Sequence, residues 1–502
     1  MGPVSIVIAL IKLIAWAYTT AFQCLWGSVA FLASVRKWRD RDLPTHGNAS
    51  FAQLKELRRR GYLRPEGFLM CVMRRGRWRK PVKVFNRAER SVLFMAPPGA
   101  GKSQQLIADL KAVLTRPEHR LPFLVIGDAG DELFTRLGAD FRRAGYSIAK
   151  IDATQPEDWT KYDILSGLTP QKRFLFNTQV KAICEAIVPD EPHSKHPHFV
   201  EFARLLLKCI ISVDVQFEGN RRTIGQMVDL LLDDDEREAM LKRAALYDDA
   251  HIRKTLQVMQ KMQDKNEGVS MMSTALRKLE PWGDPAVREV TTFGNDLQGG
   301  YSRGWTFTQM FTQDRPVVLF IRTGYQDIGG ALARIVFSNA VNEVSAMWDE
   351  TSKPLRRELL LYLDEAGLSG HVSAFVKAFS RLRKVGVRLR MCFVSLDEFK
   401  KCYPDDHKTF LNGCDLLVPG GGNDIDMYAY AEKLAGEFTV QSRSENESDH
   451  GQSKGRSEQA RKLVKQDEFR REERTTIFAF MDNQVVKGNP PWSAGKRGVT
   501  YL

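Results

Sequence analysis

The sequence contains few cysteines, and their spacing forms none of the motifs in which cysteines usually act. Its seven cysteines lie at positions 24, 71, 184, 209, 392, 402 and 414. They include no Cys-x-x-Cys pair, which excludes a zinc ribbon and a dithiol redox motif. An odd, dispersed set is typical of a protein in a reducing compartment. Sequence order also brings together no Ser/His/Asp or Cys/His set of the kind that nucleophilic hydrolases use.

Charge is missing from most of the N-terminal region. Residues 13–35 contain no charged side chain over 23 positions. A helix of that length would be roughly 35 Å long, enough to cross a hydrocarbon core of about 30 Å. We therefore predict a transmembrane anchor within residues 1–35. Four basic residues follow within residues 36–41, so the positive-inside rule places the rest of the chain in the cytoplasm. A cleaved signal peptide is the alternative, but the charged n-region is missing and the apolar stretch is too long for an h-region.

Positive charge is concentrated in one segment. Residues 36–83 contain 15 basic and four acidic residues, a net charge of +11 out of +13 for the whole chain. A local basic belt usually contacts phosphate, either of lipid headgroups or of nucleic acid. Because its first charges adjoin the predicted span, we interpret residues 36–90 as a basic juxtamembrane linker that faces membrane lipids. A solvated, arginine-rich surface is the alternative.

Short, continuous apolar runs recur along the rest of the chain. Continuous apolarity is typical of strands buried on both faces. Segments with helical periodicity lie between these runs and indicate βαβ crossovers, hence an α/β fold with a mostly parallel sheet. The predicted strands are 91–95, 123–127, 317–321, 359–364, 389–395, 416–419 and 476–480, and the predicted helices are 104–114, 131–143, 332–348 and 372–384.

Residues 157–312 lack a comparable strand. They show helical periodicity at 199–217, 225–232, 235–246, 250–263 and 270–279, so we predict an all-α domain inserted into the α/β domain, whose two parts are residues 91–156 and 313–502. The acidic run at 233–236 is interpreted as a helix N-terminal cap. Residues 441–461 contain a single apolar residue, an alanine, and are predicted to form a mobile loop.

Residues 92–104, VLFMAPPGAGKSQ, place a glycine-rich loop between an apolar strand and a helical segment. In such a loop the backbone N–H groups point at phosphate oxygens, and the following helix N-terminus adds a favourable dipole. Lys102 would reach the β and γ phosphates of ATP, and the Ser103 hydroxyl would ligate Mg²⁺. A chance glycine turn is the alternative. The predicted nucleotide-binding (Walker A) residues are Ala96, Pro97, Pro98, Gly99, Ala100, Gly101, Lys102, Ser103 and Gln104.

A second motif lies about 260 residues further on. The run ELLLYLDEAG, residues 358–367, is an apolar strand that ends in an Asp-Glu pair, as a Walker B motif does. Asp364 would hold Mg²⁺ through water, and Glu365 would polarise the attacking water. The pair could also be an ordinary helix cap. Two such motifs on strands of one chain favour an ATPase, and the helical insertion accounts for their separation.

Three histidines lie close together in HSKHPH, at positions 193, 196 and 198. Their spacing could bind zinc, but no cysteine or acidic residue nearby completes a tetrahedral set. A solvated loop before a helix is the preferred interpretation.

In their order and spacing, these segments resemble the type IV coupling proteins of conjugative and type IV secretion systems, of the TraG/TraD kind. The resemblance runs from about residue 46 to the last residue. The segments that carry it are HGNASFAQLKELRRRGYL, MAPPGAGKSQ, FLVIGDAGDELF, LLYLDEAG, SRLRKVGVRLRMCFVSLDEF and LVKQDEFRREERTTIFAF.

The resemblance implies a RecA-like ATPase, anchored once in the bacterial inner membrane, that assembles as a ring, expected to be a homo-hexamer. Its implied partners are single-stranded DNA with its relaxase, or protein substrates, and components of the secretion channel. It also implies that Arg383, with Arg381 as runner-up, senses the γ-phosphate of a neighbouring subunit; two solvated arginines are the alternative. The family's turn lysine is replaced by Gly130, and its sensor glutamine by Ser395.

Two other functions stay open at this point. The chain could be a nucleotide-stabilised adaptor that recruits secreted proteins without pumping DNA, which the exchange of the sensor glutamine for Ser395 motivates. A chromosomal DNA pump is a weaker alternative, since we recognise no DNA-reading winged module after the last predicted strand.

Overall fold

The computed structural model describes residues 46–74, 80–155, 160–189, 197–219, 222–263, 266–292, 294–295, 301–302, 306–324, 327–448, 451–495 and 498–501. The predicted anchor at residues 1–35 and two of the three clustered histidines, His193 and His196, lie outside these residues. Within the described ranges, no helix combines the length and the apolarity that crossing a membrane requires. Contacts divide the chain into two units, Phe51–Leu434 with Val464–Leu502, and Met1–Ser50 with Ala435–Leu463.

The strands of the described residues are numbered in chain order. They are β1 (Leu69–Met73), β2 (Val82–Phe85), β3 (Val92–Met95), β4 (Phe123–Asp128), β5 (Ser147–Ile151), β6 (Gly294–Asn295), β7 (Tyr301–Ser302), β8 (Val317–Arg322), β9 (Leu359–Leu363), β10 (Val387–Phe393), β11 (Asp415–Pro419), β12 (Glu437–Ser448), β13 (Gly451–Lys462), β14 (Ile477–Met481), β15 (Gln484–Gly488), β16 (Trp492–Gly495) and β17 (Gly498–Tyr501).

The α-helices are numbered in the same way. They are α1 (Leu54–Arg59), α2 (Lys102–Val113), α3 (Glu132–Arg143), α4 (Arg173–Ile187), α5 (Pro197–Ile211), α6 (Ile224–Leu232), α7 (Asp234–Ala244), α8 (Ala250–Gln263), α9 (Asn266–Leu279), α10 (Pro285–Val290), α11 (Phe307–Thr312), α12 (Asp327–Thr351), α13 (Ala366–Ser369), α14 (Ser373–Lys377), α15 (Leu396–Cys402), α16 (His407–Gly413), α17 (Ile425–Ala435) and α18 (Gln466–Arg471).

A nine-stranded sheet forms the centre of the larger unit, in the order β15-β14-β11-β3-β10-β9-β4-β8-β5. The strands from β11 to β5 in that order are parallel, and β14 and β15 continue the sheet antiparallel at one edge. Every residue of β3, β4, β9 and β10 is buried, so both faces of these strands are covered. The predicted α/β fold with a mostly parallel sheet is confirmed.

The strand that we predict to begin at residue 389 begins at Val387 and includes two buried arginines. Arg390 Nη1 lies 2.8 Å from Asp109 Oδ2, and neither side chain is exposed. Arg388 pairs with Glu358. A carboxylate partner offsets part of the cost of burying a guanidinium, which lets an arginine occupy a central strand. The apolar pattern alone therefore placed the start of this strand too late.

The edge strand β5 has no counterpart among the predicted strands, because its sequence SIAKI contains a lysine at a buried position. Lys150 Nζ lies 2.8 Å from Asp131 Oδ1 and 3.1 Å from Asp152 Oδ2. These two carboxylates compensate the buried ammonium. Asp131 follows Gly130, the position at which the family's turn lysine is replaced.

Between β5 and β8 the regular elements of the described residues are helices, apart from the two-residue strands β6 and β7. The predicted cap is confirmed, because the Asp233 carboxylate accepts a hydrogen bond from the Glu236 backbone N–H at 2.9 Å. Helix α12 packs against α4, and Asn339 Nδ2 donates to the Ile164 carbonyl at 2.9 Å. The bounds of the inserted domain, 157–312, stay a prediction.

The prediction of a mobile loop at residues 441–461 is wrong. Strands β12 and β13 pair in an antiparallel ribbon along all 12 residues of each strand. In the same smaller unit, the Ala49 backbone N–H donates to the Glu437 carbonyl at 3.0 Å. The prediction rested only on the lack of apolar side chains. A two-stranded ribbon does not need them to form its ladder, because its backbone N–H and C=O groups bond to each other.

Candidate functional site

The carboxyl ends of four adjacent parallel strands, β3, β10, β9 and β4, lie next to one another. We call the side of the sheet formed by these strand ends the carboxyl edge, and the side formed by the strand beginnings the amino edge. The loop after β3 carries the predicted nucleotide-binding residues, and Asp364 and Glu365 follow β9 directly. Ligands of open α/β sheets bind at the carboxyl ends of the strands, so this edge is the candidate site.

The loop after β3 has the backbone conformation that a phosphate cradle needs. Gly99 and Gly101 have φ angles of 74° and 85°, which glycine adopts far more readily than other residues. The Ala96 N–H donates to the carbonyl of Phe393, the last residue of β10, at 2.9 Å. Lys102 is 8% exposed, and its Nζ donates to the Ala96 carbonyl at 3.2 Å. The lysine therefore lies inside the curve of the loop.

The two sequence motifs meet at Ser103 and Asp364. Ser103 Oγ donates to Asp364 Oδ2 at 2.9 Å, although 261 positions separate the two residues. The Asp364 backbone N–H donates to the Gly127 carbonyl on neighbouring β4 at 3.1 Å. The structure thus brings together the two residues for which we predict a role in holding Mg²⁺.

The Asp364 carboxylate is set up to receive a positive charge. It is 6% exposed, and Oδ1 has no hydrogen-bond partner among the described residues. Burial raises the pKa of Asp364 to about 7; the hydrogen bond from Ser103 opposes the rise, and Asp128 adds to it. A buried carboxylate with an unpaired oxygen is stabilised in its charged form by a nearby cation.

Asp128 is a residue of this site that the sequence motifs did not identify. It ends β4, is 1% exposed, and accepts a hydrogen bond from the Phe134 N–H at 2.9 Å through Oδ2. Its Oδ1 has no partner among the described residues, and burial raises its pKa to about 6. The signal was present in the sequence, since FLVIGD ends in an aspartate just as LLYLD does.

Glu365 lies at the start of α13 and is half-buried. Its neighbour Gly367 allows a close approach that no motif predicted. A Cβ on Gly367 would lie 2.2 Å from Glu398 Oε1, and Glu398 Oε2 accepts from the Val394 N–H at 2.7 Å. The Glu398 carboxylate, on α15, therefore approaches the backbone at Gly367, two residues after the predicted catalytic Glu365.

Ser395, which the resemblance places at the position of a sensor glutamine, is the N-cap of α15. Its Oγ accepts a hydrogen bond from the Glu398 N–H at 3.1 Å. This is a common structural use of serine at a helix start.

The C-terminal hairpin of β16 and β17 contacts the helix that follows the loop. A Cβ on Gly101 would lie 2.3 Å from Trp492 Cζ2, so the indole is packed on the loop backbone. The Tyr501 hydroxyl donates to Gln104 Oε1 at 2.6 Å, and Gln104 Nε2 donates to Glu132 Oε1 at 2.9 Å. The last predicted strand ends at residue 480, so this hairpin and its support of the loop are not predicted from the sequence.

Arg474 brings a cation to the tip of the loop. Its Nη1 lies 4.0 Å from the position that a Cβ on Gly99 would occupy. The residue is exposed. Because Arg474 belongs to the loop between α18 and β14, no local motif connects it with the glycine-rich loop.

Arg383 is not brought to this site within one chain. It precedes β10 and so lies at the amino edge, roughly 20 Å away along a seven-residue strand. Its Nη2 is 3.7 Å from Glu89 Oε1, and the two side chains are 47% and 52% exposed. Arg381 is exposed as well. The predicted role of Arg383 therefore requires a second copy of the chain.

The third clustered histidine, His198, is exposed at the start of α5. In the part of the chain that the structure describes, no group of three or more His, Cys, Asp or Glu side chains is arranged to hold a metal ion.

Residues 50–497 match the family described as "Type IV secretory system Conjugative DNA transfer". The match covers most of the chain, so the chain belongs to this family.

Two curated relatives have the same name. The conjugal transfer protein TraG of Agrobacterium fabrum (strain C58 / ATCC 33970) is 29% identical over 221 residues, which are 42% of this chain and 32% of that protein. Conjugal transfer protein TraG of Rhizobium radiobacter is 30% identical over 221 residues, 42% of this chain and 33% of that protein. The matched region thus spans about a third of the length of these relatives.

Solved structures of the bacterial conjugative coupling protein TrwB have a similar fold. The unbound form has a TM-score of 0.56 and 16% identity, with 88% of this chain and 95% of that chain covered. The complex with the non-hydrolysable ATP analogue ADPNP has a TM-score of 0.57 and 15% identity, covering 89% and 96%. The complex with ADP and Mg²⁺ has a TM-score of 0.53 and 15% identity, covering 80% and 85%.

Proposed function

We propose that this chain is a membrane-anchored ATPase that couples a DNA–relaxase substrate to a type IV secretion channel and helps to drive conjugative DNA transfer. The observation that supports this most is the 2.9 Å contact between Ser103 Oγ and Asp364 Oδ2. It joins the two strand-end motifs that a magnesium–nucleotide site needs. Family membership supplies the conjugative context.

The residues of the carboxyl edge fit ATP with Mg²⁺. Mg²⁺ in phosphate sites takes one or two carboxylates together with phosphate oxygens, and the Ser103 hydroxyl and the unpaired Asp364 Oδ1 are such hard oxygen donors. The chemistry that the ion supplies there is neutralisation of charge on the phosphates. TrwB has been solved with ADP and Mg²⁺, which supports the same ligands here.

Each side chain of the site then has a separate task. The backbone N–H groups of the loop hold the phosphates, and the Lys102 ammonium would exchange its bond to the Ala96 carbonyl for phosphate oxygens. Glu365, for whose carboxylate the described residues supply no hydrogen-bond partner, would accept a proton from the attacking water. In a homo-hexameric ring, Arg383 of a neighbouring copy would complete the nucleotide site. Arg383 cannot reach the nucleotide site of its own chain, because that site lies at the opposite edge of the sheet.

The proposed setting is the bacterial inner membrane, with a single-pass anchor within residues 1–35 and the soluble part in the cytoplasm. The proposed partners are single-stranded DNA with its relaxase, components of the secretion channel and membrane lipids.

ATP turnover by the purified full chain tests this function. We expect turnover that rises with single-stranded DNA and falls at least about 100-fold in Lys102→Ala, the scale of losing one group that stabilises transition-state charge. Lys433→Ala, an exposed lysine on α17, is the matched control and should leave turnover unchanged. Equal turnover in Lys102→Ala and the control would overturn the assignment of Lys102, and turnover indifferent to DNA would overturn the DNA-driven part.

A nucleotide-stabilised adaptor for secreted proteins is the second candidate, and one observation favours it. The hydroxyl of Ser395, at the position that the resemblance gives to the sensor glutamine, caps α15 and is already used within the chain. Conjugative transfer by Glu365→Gln separates the two functions. Transfer that survives this substitution but is lost with nucleotide binding, in Lys102→Ala, supports the adaptor; loss of transfer in both variants supports the ATPase.

A further inference from the structure

A pocket rich in arginine lies at the amino edge of the sheet, far from the phosphate loop. We call it the basic pocket. Its volume is about 420 Å³. The arginines that line it are Arg64, Arg116, Arg120, Arg356 and Arg357. They come from three stretches of chain: the turn before β1, the end of α2 with the residues after it, and the turn before β9.

Positive charge in and behind the basic pocket exceeds the negative charge. Arg388 lies directly behind it, with Nη1 donating to the Glu66 carbonyl at 3.3 Å. Six arginines thus face three carboxylates, those of Glu66 and Glu358 in the lining and of Asp314, which pairs with Arg356. Burial lowers the pKa of Arg388; Glu358 opposes that effect and Arg116 adds to it. A further anion at this place would relieve repulsion among the guanidinium groups.

Two of the arginines are held rigidly before any ligand arrives. Arg357 donates through Nη2 to the Asp314 carbonyl at 2.8 Å and through Nη1 to the Glu118 carbonyl at 2.7 Å. The Arg116 side chain is 6% exposed, and its Nη2 donates to the Glu66 carbonyl at 3.0 Å. Its Nε is buried without a hydrogen-bond partner among the described residues. Guanidinium groups fixed in this way lose little entropy when they bind an anion.

Two other side chains that carry N–H donors are available at the rim. Arg64 and His119 are exposed, and within the described part of the chain neither side chain makes a hydrogen bond or an ion pair. The basic pocket therefore combines two fixed guanidinium groups, those of Arg116 and Arg357, with exposed donors at its rim.

We propose that the basic pocket binds a phosphate group, with the headgroup of an anionic lipid as the ligand that the observations favour. Arginine matches phosphate with paired N–H donors. No Phe, Tyr or Trp lines the pocket, so it lacks the large stacking platforms that are typical of single-strand DNA sites. Arg64 belongs to the basic belt at residues 36–83, which is expected to adjoin the bilayer. The choice of a lipid rests on the proposed membrane anchoring.

Hydrogen exchange on the full chain in nanodiscs tests this proposal locally. The chain is compared in phosphatidylcholine alone, in phosphatidylcholine with phosphatidylglycerol, and in phosphatidylcholine with either inorganic phosphate or a single-stranded DNA oligonucleotide added. We expect amides of residues 64–68 and 116–121 to exchange at least about fivefold more slowly with the anionic lipid, at about 0.15 M salt. Exchange at residues 97–104 is followed separately, because the phosphate loop also binds anions.

Matched variants distinguish a site from general attraction. Arg64→Ala with Arg120→Ala should abolish the protection. Arg58→Ala with Arg59→Ala, which removes the same charge from exposed positions of the same basic belt, should leave it intact.

The outcomes distinguish the sources of the phosphate group. Protection by inorganic phosphate in neutral nanodiscs, lost only in Arg64→Ala with Arg120→Ala, supports the phosphate site with a soluble source. The proposal is overturned if neither lipid nor phosphate protects, if both variant pairs lose protection equally, or if only a DNA oligonucleotide protects. ATP turnover, measured on the same variants, reports independently on the proposed function.

Discussion

Two charged side chains of the nucleotide site at the carboxyl edge, Lys102 and Asp364, are buried, whereas Arg383 at the amino edge is exposed. Lys102 and Asp364 are 8% and 6% exposed, while the side chain of Arg383 is 47% exposed. Burial strengthens electrostatic interactions and fixes geometry, which suits chemistry on a bound nucleotide. Exposed cations contribute little to the stability of their own chain and are available to another molecule. The difference supports the proposal that the carboxyl edge holds the nucleotide with side chains of its own chain, whereas Arg383 completes the site of another copy.

The largest expected effect tests this comparison directly. In Arg383→Ala we expect turnover to fall by about 1,000-fold, the lower end of what an arginine finger contributes. The chain should still bind nucleotide, because its own carboxyl edge is unchanged. Lys384→Ala, at the exposed cation next in the chain, is the matched control and should retain turnover, and Arg381→Ala tests the runner-up. ATP hydrolysis by the purified chain is the measurement.

A mixing experiment then decides whether Arg383 acts between copies. Subunits with Lys102→Ala keep the finger but lack a working loop, and subunits with Arg383→Ala have the reverse defect. Rings assembled from both should hydrolyse ATP faster than either parent if the finger acts across the interface. A mixture no more active than its parents would contradict the comparison.

The second prediction concerns the buried ion pair of Asp109 and Arg390, which joins α2 to the central strands of the sheet. Asp109 on α2 receives hydrogen bonds from Arg390 Nη1 on β10, at 2.8 Å, and from the Tyr362 hydroxyl on β9, at 2.9 Å. Asp109→Asn leaves a buried guanidinium uncompensated, so the free energy of unfolding should fall by about 3 to 5 kcal/mol. Denaturant titration measures it.

The surface variant Asp140→Asn, in a partly exposed pair, should cost less than about 0.5 kcal/mol. Replacing both members, Asp109→Leu with Arg390→Met, should recover most of the lost stability, because it removes the unpaired charge. An equal loss in Asp109→Asn and Asp140→Asn would show that the buried pair has no special role.

The carboxyl edge was also the more predictable of the two from sequence, for a physical reason. A strand buried on both faces needs continuous apolar residues, and its polar ligands must follow where it ends, so β3 with Ser103 and β9 with Asp364 are local patterns. Arg390 in β10 and Lys150 in β5 break that pattern, because each depends on a carboxylate distant in sequence. Contacts of this kind cannot be read from one stretch of chain.

The same limit applies around the site. The packing of Trp492 on Gly101 and the approach of Glu398 to Gly367 join residues that no motif spacing relates. The ribbon of β12 and β13 was missed for the opposite reason, since it depends on backbone pairing and not on an apolar face. Runs of apolar residues predict the strands of the sheet, but they do not predict which side chains pack against the backbone of Gly101 or Gly367.

The third prediction breaks the carboxyl edge by its backbone. Gly101→Ala adds a Cβ at a φ of 85°, 2.3 Å from Trp492 Cζ2, so strain and collision act together. We expect the affinity for an ATP analogue to fall by about 100-fold, with unfavourable left-handed backbone accounting for about 1 to 2 kcal/mol of the loss. Calorimetric titration measures the affinity.

Gly99→Ala separates the two causes. It has a φ of 74° but no heavy atom nearer than 4.0 Å to the new Cβ, so only the strain should remain, about tenfold in affinity. Adding Trp492→Ala to Gly101→Ala should recover part of the loss. If the double variant binds no better than Gly101→Ala alone, the indole does not support the loop.

The smallest expected effect sharpens the comparison, because it places an exposed cation at the carboxyl edge. Arg474 Nη1 lies 4.0 Å from the position of a Cβ on Gly99, in the same chain as the loop. Since the guanidinium is exposed, Arg474→Ala should weaken nucleotide affinity by only about five- to tenfold, on the order of 1 kcal/mol. Turnover at saturating ATP should stay near that of the original chain. This result would separate Arg474, a cation that helps to bind nucleotide, from Arg383, whose loss should lower turnover at every ATP concentration.

Two variants serve as controls for Arg474→Ala. Arg474→Lys should restore most of the affinity, and Arg471→Ala, at an exposed arginine on α18, should leave it unchanged. If Arg474→Ala instead lowers turnover at saturation as far as Arg383→Ala does, the sensing cation is supplied within the chain, and the amino edge loses the role that the comparison gives it.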